Sequence, residues 1–236
     1  MLIFLIKIFL GDDFMIYNKE QIDLYLKKME YNDEIKIDYE TLCKLQIAHL
    51  THIPYENIDV LNRKPISLEA QDLFDKMIVK QRGGYCFELN GLYSNLLKSL
   101  GFNVTNLAGR FIYQDGNTRM RLHRILKIDI DDKSYISDVG VLSELSRKSL
   151  ELEIGKVQND GKCDYKFEYN PKQEGEYILY QRKPKKDWKQ IYSFSLEPQL
   201  DIDYVLPSFY CESHPNSPFI NSMKVARYTE DEHMIF

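Results

Sequence analysis

The stretch Arg82-Gly83-Gly84-Tyr85-Cys86-Phe87-Glu88-Leu89-Asn90 decides how this chain is read. Paired glycines let a backbone turn tightly. The apolar residues that follow keep helical spacing at Leu89, Leu92, Tyr93, Leu96 and Leu100, with Gly101 as the stop. Cys86 therefore falls in the first turn of a helix. Unpaired N–H groups and the positive end of the helix dipole lie there, and both favour thiolate over thiol. A thiolate so placed is a nucleophile at neutral pH without a metal. The usual fate of a free cysteine is that of a small buried hydrophobe, and the local physics here leaves both readings open.

Upstream, the chain reads as helices. Asn18 with Gln21 forms a capping pattern ahead of Ile22, Leu26 and Met29. Asp38 is placed to cap a second helix carrying Leu42, Leu45 and His49, which Pro54 ends. Ser67 is placed to cap a third, carrying Leu73, Phe74, Met77 and Ile78. Ahead of all this stands MLIFLIKIFL, residues 1–10, too short to span a bilayer, which needs about 20 residues. It lacks a basic leader and a small-residue cleavage site. Residues 1–14 are expected to be an appendage that adds nothing to function, with the helical bundle running over 15–101.

Downstream, the pattern changes to strands at 102–113, 119–130 and 135–141, with turns expected at Asp115-Gly116 and Asp132-Lys133. Further short strands follow in KFEYN (166–170), EYILYQRK (176–183) and WKQIYSFS (188–195). Residues 102–203 thus form the strand-rich part, and 204–236 a separate C-terminal element.

Composition narrows the function classes. The 236 residues carry a formal net charge of −5, which argues against bulk phosphate neutralisation and so against a nucleic-acid partner. Four cysteines, Cys43, Cys86, Cys163 and Cys211, form no C-x-x-C pair, so neither a disulfide scaffold nor a structural zinc site is expected. Reduced thiols in a cytoplasmic protein are the default, with no membrane partner. The 17 Tyr and 12 Phe suit a core or cleft built from flat rings.

A nucleophilic cysteine needs a base, and histidine titrates in the right range. Of His49, His52, His123, His214 and His233, only His123 sits within an apolar strand, MRLHRILKI. Asp138 interrupts YISDVGV, where a carboxylate is costly unless a neighbour accepts its charge, and an imidazole is one such neighbour. The strand arithmetic does not close, however. A turn at Asp132-Lys133 sets Asp138 opposite Lys127, four residues or about 13 Å from His123.

Taken together, RGGYCFELN, the Leu100-Gly101-Phe102 exit, His123-Arg124, Asp138-Val139-Gly140, the upstream Pro54-Tyr55-Glu56-Asn57-Ile58 and the late Ser217-Pro218-Phe219 resemble the arylamine N-acetyltransferase family, in order, from about Met15 to Tyr228. The resemblance implies an α+β fold: an N-terminal helical bundle supplying the cysteine, a central antiparallel β-barrel supplying His and Asp, and a short C-terminal α/β lid. It implies a Cys86–His123–Asp138 triad and ping-pong acetyl transfer through acetyl-Cys86. Acetyl-CoA would be the acyl-donor substrate, with an arylamine, arylhydrazine or hydrazide as acceptor and no permanently bound cofactor or metal. It further implies Arg82, Glu56 and Asn90 as structural residues near the site, Val141, Phe87 and Phe219 as substrate contacts, and Arg119, Met120, Arg121 and Leu122 as the segment towards CoA. In this sequence Val141-Leu142 departs from the family's usual residues after Asp-Val-Gly, and the C-terminal element is short, so CoA binding is expected to be weaker or differently built. Another Cys–His–Asp acyltransferase, amide synthase or thiol hydrolase, or a weakly active CoA- or arylamine-binding homologue, is the competing reading.

Overall fold

Each helix of the N-terminal half begins where a side chain or a backbone constraint supplies its missing bonds. The computed structural model describes residues 16–113, 115, 117–143, 145–229 and 232–236; the expected appendage 1–14 and the glycine of the Asp115-Gly116 turn lie outside them. Helix α1 (Lys19–Lys28) opens on the reciprocal cap: Asn18 Oδ1 accepts from Gln21 N–H at 2.9 Å, and Gln21 Oε1 accepts from Asn18 N–H at 3.0 Å. Helix α2 (Tyr39–His52) is capped by Asp38, whose Oδ1 accepts from Thr41 N–H at 2.8 Å. Strand β1 (Tyr55–Glu56) and the short α3 (Ile58–Leu61) follow Pro54.

The third expected helix starts later than its cap signal. Ser67 donates to Asp72 at 2.5 Å and accepts from Glu69 N–H at 3.3 Å, so it shapes the loop, and α4 (Ala70–Phe74) begins at residue 70. The helix then widens into a single π turn at Asp75–Val79. Helix α5 (Cys86–Ser99) is buried on nearly every face, from Cys86 to Leu97. Its polar members survive burial because they are bonded: Ser94 Oγ donates to Asn106 at 3.0 Å, for example.

The strands form one eight-stranded antiparallel sheet, a nearly closed barrel. They are β2 (Asn103–Phe111), β3 (His123–Ile130), β4 (Lys133–Ser137), β5 (Leu150–Glu151), β6 (Gln158–Asn159), β7 (Asp164–Tyr169), β8 (Glu176–Arg182) and β9 (Lys189–Ser195). The order is β5-β4-β3-β2-β9-β8-β7-β6. Between the outer strands, the Gln158 carboxamide donates to Glu151 C=O and accepts from Glu151 N–H, both at 2.8 Å, in place of a ladder. Alternation along β3 sorts its side chains. Leu126, Ile128 and Ile130 pack on the helices, while Ile125 points inward among Leu107, Tyr165, Phe167, Tyr192 and Phe194.

The C-terminal element is woven into the helical half. A 3-10 turn (Asp201–Tyr204) leads into α6 (Val205–Ser213), then β10 (Val225–Tyr228) and β11 (His233–Ile235). Strand β10 pairs with β1, Tyr55 opposite Ala226 and Glu56 opposite Val225, giving a three-stranded sheet β1-β10-β11. Tyr204, Cys211, Ala226 and Tyr228 share one core with the helices. A two-residue strand such as β1 cannot stand without a partner, and the C-terminal strands supply it. Among the described residues, no helix is long and apolar enough to cross a membrane.

Candidate active site

The glycines at 83 and 84 serve close approach rather than a reversal. Neither has a positive φ; the left-handed residue is Gln81, at 54°. A Cβ on Gly83 would lie 2.1 Å from the Pro54 carbonyl oxygen, and one on Gly84 would lie 2.8 Å from Glu88 Cβ. The backbone here lies against Pro54–Glu56: Gly84 N–H donates to Pro54 C=O at 3.3 Å and Glu56 N–H donates to Gly84 C=O at 2.9 Å. Glu88 can then fold back so that its Oε2 accepts from Tyr85 N–H at 3.2 Å, which caps α5 and sets Cys86 at its first position.

Cys86 is buried, and its thiol points at the Leu122 carbonyl, 3.6 Å away. Burial pushes this thiol well above its ordinary pKa, with the nearby Cys211 and Asp138 acting in the same direction; bonds from the Phe87 and Arg124 backbone pull the other way and lose. Burial thus opposes the pull of the helix terminus, which the sequence sets against a packed thiol without deciding between them.

His123 supplies a candidate proton acceptor. It is the first residue of β3 and points into the barrel mouth, with the Phe111 ring 4.8 Å and the Tyr192 ring 5.5 Å from its own. His123 Nε2 is bonded to Asp138 Oδ2 at 2.6 Å. Its Nδ1 is buried and bonds to no group among the described residues. The register explains how Asp138 reaches it. The turn lies at Asp131-Asp132, with Asp131 at a φ of 50°, and Leu126 pairs with Ser137. Continued by one residue, that ladder sets Asp138 opposite Ile125, two positions from His123 and on the same face. The four-residue gap expected from sequence is therefore a diagonal pair, within side-chain reach.

Asn90, one turn after Cys86, ties these parts together. Its Nδ2 donates to Asp138 Oδ1 at 2.8 Å and to Arg124 C=O at 2.7 Å, and its Oδ1 accepts from Val139 N–H at 3.0 Å. Gly140 closes the packing: a Cβ there would fall 2.8 Å from Cys86 Cα and 2.6 Å from Asn90 Nδ2. The structure thus gathers Cys86, His123, Asp138 and Asn90 in one buried cluster.

Arg82 is bonded to Glu56, Nη2 to Oε1 at 2.7 Å and Nε to the same oxygen at 3.1 Å, and Glu56 is buried. Phe87 is enclosed, with the Tyr85 ring 5.6 Å and the Tyr204 ring 5.9 Å away; half-buried Phe219 lies 5.7 Å from Tyr85. Val141 belongs to the barrel interior, and half-buried Leu142 packs on the helical core. Of the segment before His123, only Leu122 reaches the thiol. Arg119 is paired with Asp115 and lies over the Tyr113 ring, Met120 is exposed, and Arg121 donates to Glu176 at 3.1 Å.

Lys76, Phe111 and Tyr192 had no sequence signal, and Asn57 had only its place in the Pro54–Ile58 motif. Lys76, on the π turn, reaches Glu88 at 2.7 Å and Asp59 at 2.9 Å. Burial pushes the Glu88 carboxyl up to about 7, the pull of Lys76 only partly offsetting it. Asn57 anchors the loop after α6, donating to Phe219 C=O at 2.7 Å and Ser222 C=O at 2.9 Å and accepting from Lys224 N–H at 2.8 Å. Phe111 and Tyr192, the walls of the imidazole slot, come from two different strands that only the barrel's closure brings together.

A family model described as N-acetyltransferase matches residues 38–236. The arylamine N-acetyltransferase / N-hydroxyarylamine O-acetyltransferase of Salmonella typhimurium is 35% identical over 193 residues, covering 81% of this chain and 67% of that one. A solved structure of the arylamine N-acetyltransferase from Salmonella typhimurium superposes with a TM-score of 0.86 at 30% identity, over 93% of this chain and 80% of that chain. The arylamine N-acetyltransferase of Mycobacterium marinum, solved in complex with CoA, gives 0.84 at 28% identity, over 91% and 80%. The fold and these matches define an acetyltransferase. More narrowly, the chain belongs to the arylamine N-acetyltransferase family.

Proposed function

We propose that the protein moves an acetyl group from acetyl-CoA to the nitrogen of an arylamine, arylhydrazine or hydrazide, in two half-reactions through acetyl-Cys86. The observation that carries this reading is His123: Nε2 is held by Asp138 at 2.6 Å while Nδ1 has no partner among the described residues. Asp138 fixes the tautomer in which Nδ1 carries the lone pair and stabilises the imidazolium that forms. The Cys86 proton passes to Nδ1, and the sulfur attacks the thioester carbonyl of the donor. Backbone N–H groups in the first turn of α5 take up the developing oxyanion charge. The tetrahedral adduct collapses, the C–S bond to CoA breaks, and the CoA sulfur leaves with the proton held by His123. In the second half-reaction the amine nitrogen attacks acetyl-Cys86, His123 takes the nitrogen's proton, and Cys86 departs as a thiolate that recovers it.

A weakly basic aromatic amine suits this scheme, because it is unprotonated at neutral pH and needs its proton removed only as the C–N bond forms. The aromatic walls beside His123 suit a flat acceptor. The CoA complex of the Mycobacterium marinum relative supports acetyl-CoA as the donor. The test is intact-protein mass after mixing with acetyl-CoA alone, followed by addition of p-anisidine. One acetyl group is expected on Cys86, discharged by the amine, with none on Cys86→Ala. Transfer without an acetylated intermediate, or acetylation that survives in the alanine variant, overturns the reading.

A further inference from the structure

The short stretch from Leu200 to Phe209 is apolar on both sides. Tyr204, Ser208 and Cys211 turn inward and are buried, Tyr204 and Cys211 in the helical core and Ser208 bonded to Tyr85 at 2.5 Å. The opposite face holds Leu200, Ile202, Val205, Leu206 and Phe209, each between 47% and 78% exposed. Five large apolar side chains within ten residues, all facing outward, form a contiguous patch of the kind that marks an interaction site.

We infer that this face is the docking site of the chain's own first ten residues, MLIFLIKIFL. Nine of these are apolar and the tenth is Lys7. The first described residues stand beside the patch. Tyr17 N–H donates to Ser99 Oγ at 2.9 Å, and Asn95 donates to the Tyr17 hydroxyl, so the chain enters at the C-terminal end of α5. Asp201 lies at that same end: it takes Nη2 of Arg124 at 2.7 Å, and its charge acts on Lys98, the residue before Ser99. The Arg124 guanidinium in turn lies over the Tyr204 ring at 4.5 Å. Six residues, 11–16, link the segment to Tyr17 and reach about 20 Å if extended, so the segment can lie only on a surface near the C-terminal end of α5, where Asp201 and the patch begin. Asp201 and Asp203, exposed at the rim of the patch, are placed to receive Lys7.

A segment of the same chain has an advantage over a second molecule. Its local concentration is in the millimolar range for so short a tether, whatever the protein concentration. Covering the patch also steadies α6, which holds Tyr85 through Ser208 and, through Glu212, accepts from Ile66 N–H at 2.8 Å.

Hydrogen exchange compares three proteins: the full chain, a chain beginning at Met15, and the full chain carrying Leu206→Asp with Phe209→Asp. Both of the last changes fall on exposed side chains, and near-ultraviolet circular dichroism verifies that the variants fold. In the full chain, amides 2–10 are expected to be protected and amides 208–213 to exchange on the order of tenfold slower than in the Met15 chain, a difference of about 1.4 kcal/mol. The double substitution should release 2–10. Free-peptide exchange of residues 2–10 in the full chain overturns the inference. So does protection that grows with protein concentration, which would mean a second copy, or flotation of the full chain with phosphatidylcholine–phosphatidylglycerol vesicles, which would mean a lipid surface.

Discussion

Asn90 grips Asp138 at its carboxylate and at the following peptide: its amide donates to Oδ1 at 2.8 Å while its carbonyl oxygen accepts from Val139 N–H at 3.0 Å. Since Asn90 lies on the helix that starts at Cys86, the separation between the Cys86 sulfur and the Asp138 carboxylate is set by one turn of helix. Replacing Asn90 with Ala removes a hydrogen bond to a buried charged group, worth about 1.5–3 kcal/mol. Expressed in the transition state, that is roughly 10- to 100-fold in kcat/KM. Steady-state kinetics on a variant whose Tm is checked in parallel measures it. Unchanged kinetics would remove Asn90 from the positioning role.

Burial pushes the Cys86 thiol well above its ordinary pKa, and in the proposed mechanism His123 takes its proton. His123→Ala should therefore make Cys86 as slow towards iodoacetamide at neutral pH as an ordinary buried thiol, while wild type is modified there first. Peptide mapping of the alkylated protein gives the answer. A Cys86 that stays fast in the variant would show that the helix terminus suffices after all.

The helical caps at Asn18 and Asp38, the strand run and the grouping of residues around Cys86 were legible because each depends on near neighbours in sequence. The meeting of His123 and Asp138 was only half legible. Both residues were singled out, but the turn was placed one residue late, which moves every cross-strand pair by two. Lys76, Phe111 and Tyr192 were not legible at all, and Asn57 only as a motif member without a role, since each acts through a partner brought up in the folded chain. The glycines at 83 and 84 were noticed for a turn that occurs at neither; their purpose appears only once Pro54 and Glu88 are seen against them.

Two buried groups make opposite contributions to stability in mildly acidic solution. Burial holds His49 down to about 3 against an ordinary 6.5, so the folded state binds fewer protons than the unfolded one below pH 6.5. Its stabilising contribution is complete above that pH and is lost as the pH falls towards 3. Glu88, pushed up to about 7 from 4.5, binds more protons folded than unfolded; its contribution is complete below pH 4.5 and is lost as the pH rises to 7. Each changes stability by about 1.4 kcal/mol per pH unit at most. Between pH 4.5 and 6.5 they oppose one another. Urea melts across that window should grow steeper for Glu88→Gln, losing stability on acidification, and reverse slope for His49→Leu. Identical slopes in all three proteins would contradict the assignment.

Gly83→Ala sets a methyl group 2.1 Å from the Pro54 carbonyl oxygen, a backbone atom that cannot swing aside. A loss of about 1–3 kcal/mol is expected, typical of forced overpacking, together with slower turnover because Tyr85 and Cys86 follow directly. Gly155→Ala is an internal comparison: its positive φ of 76° is strained for alanine, but the site is open and far along the barrel, so activity should be retained. Denaturant melts paired with turnover distinguish the two.

The pairing of Tyr55–Glu56 with Val225–Ala226 has a bearing on biosynthesis. While the ribosome is still making the barrel, β1 lacks its β10 partner, and the Pro54–Glu56 segment is held by its bonds to Gly84 and Arg82. The turn ahead of Cys86 is therefore completed late. A nascent polypeptide interrupted before residue 225 would carry the start of α5, and Cys86 with it, against an unfinished β1.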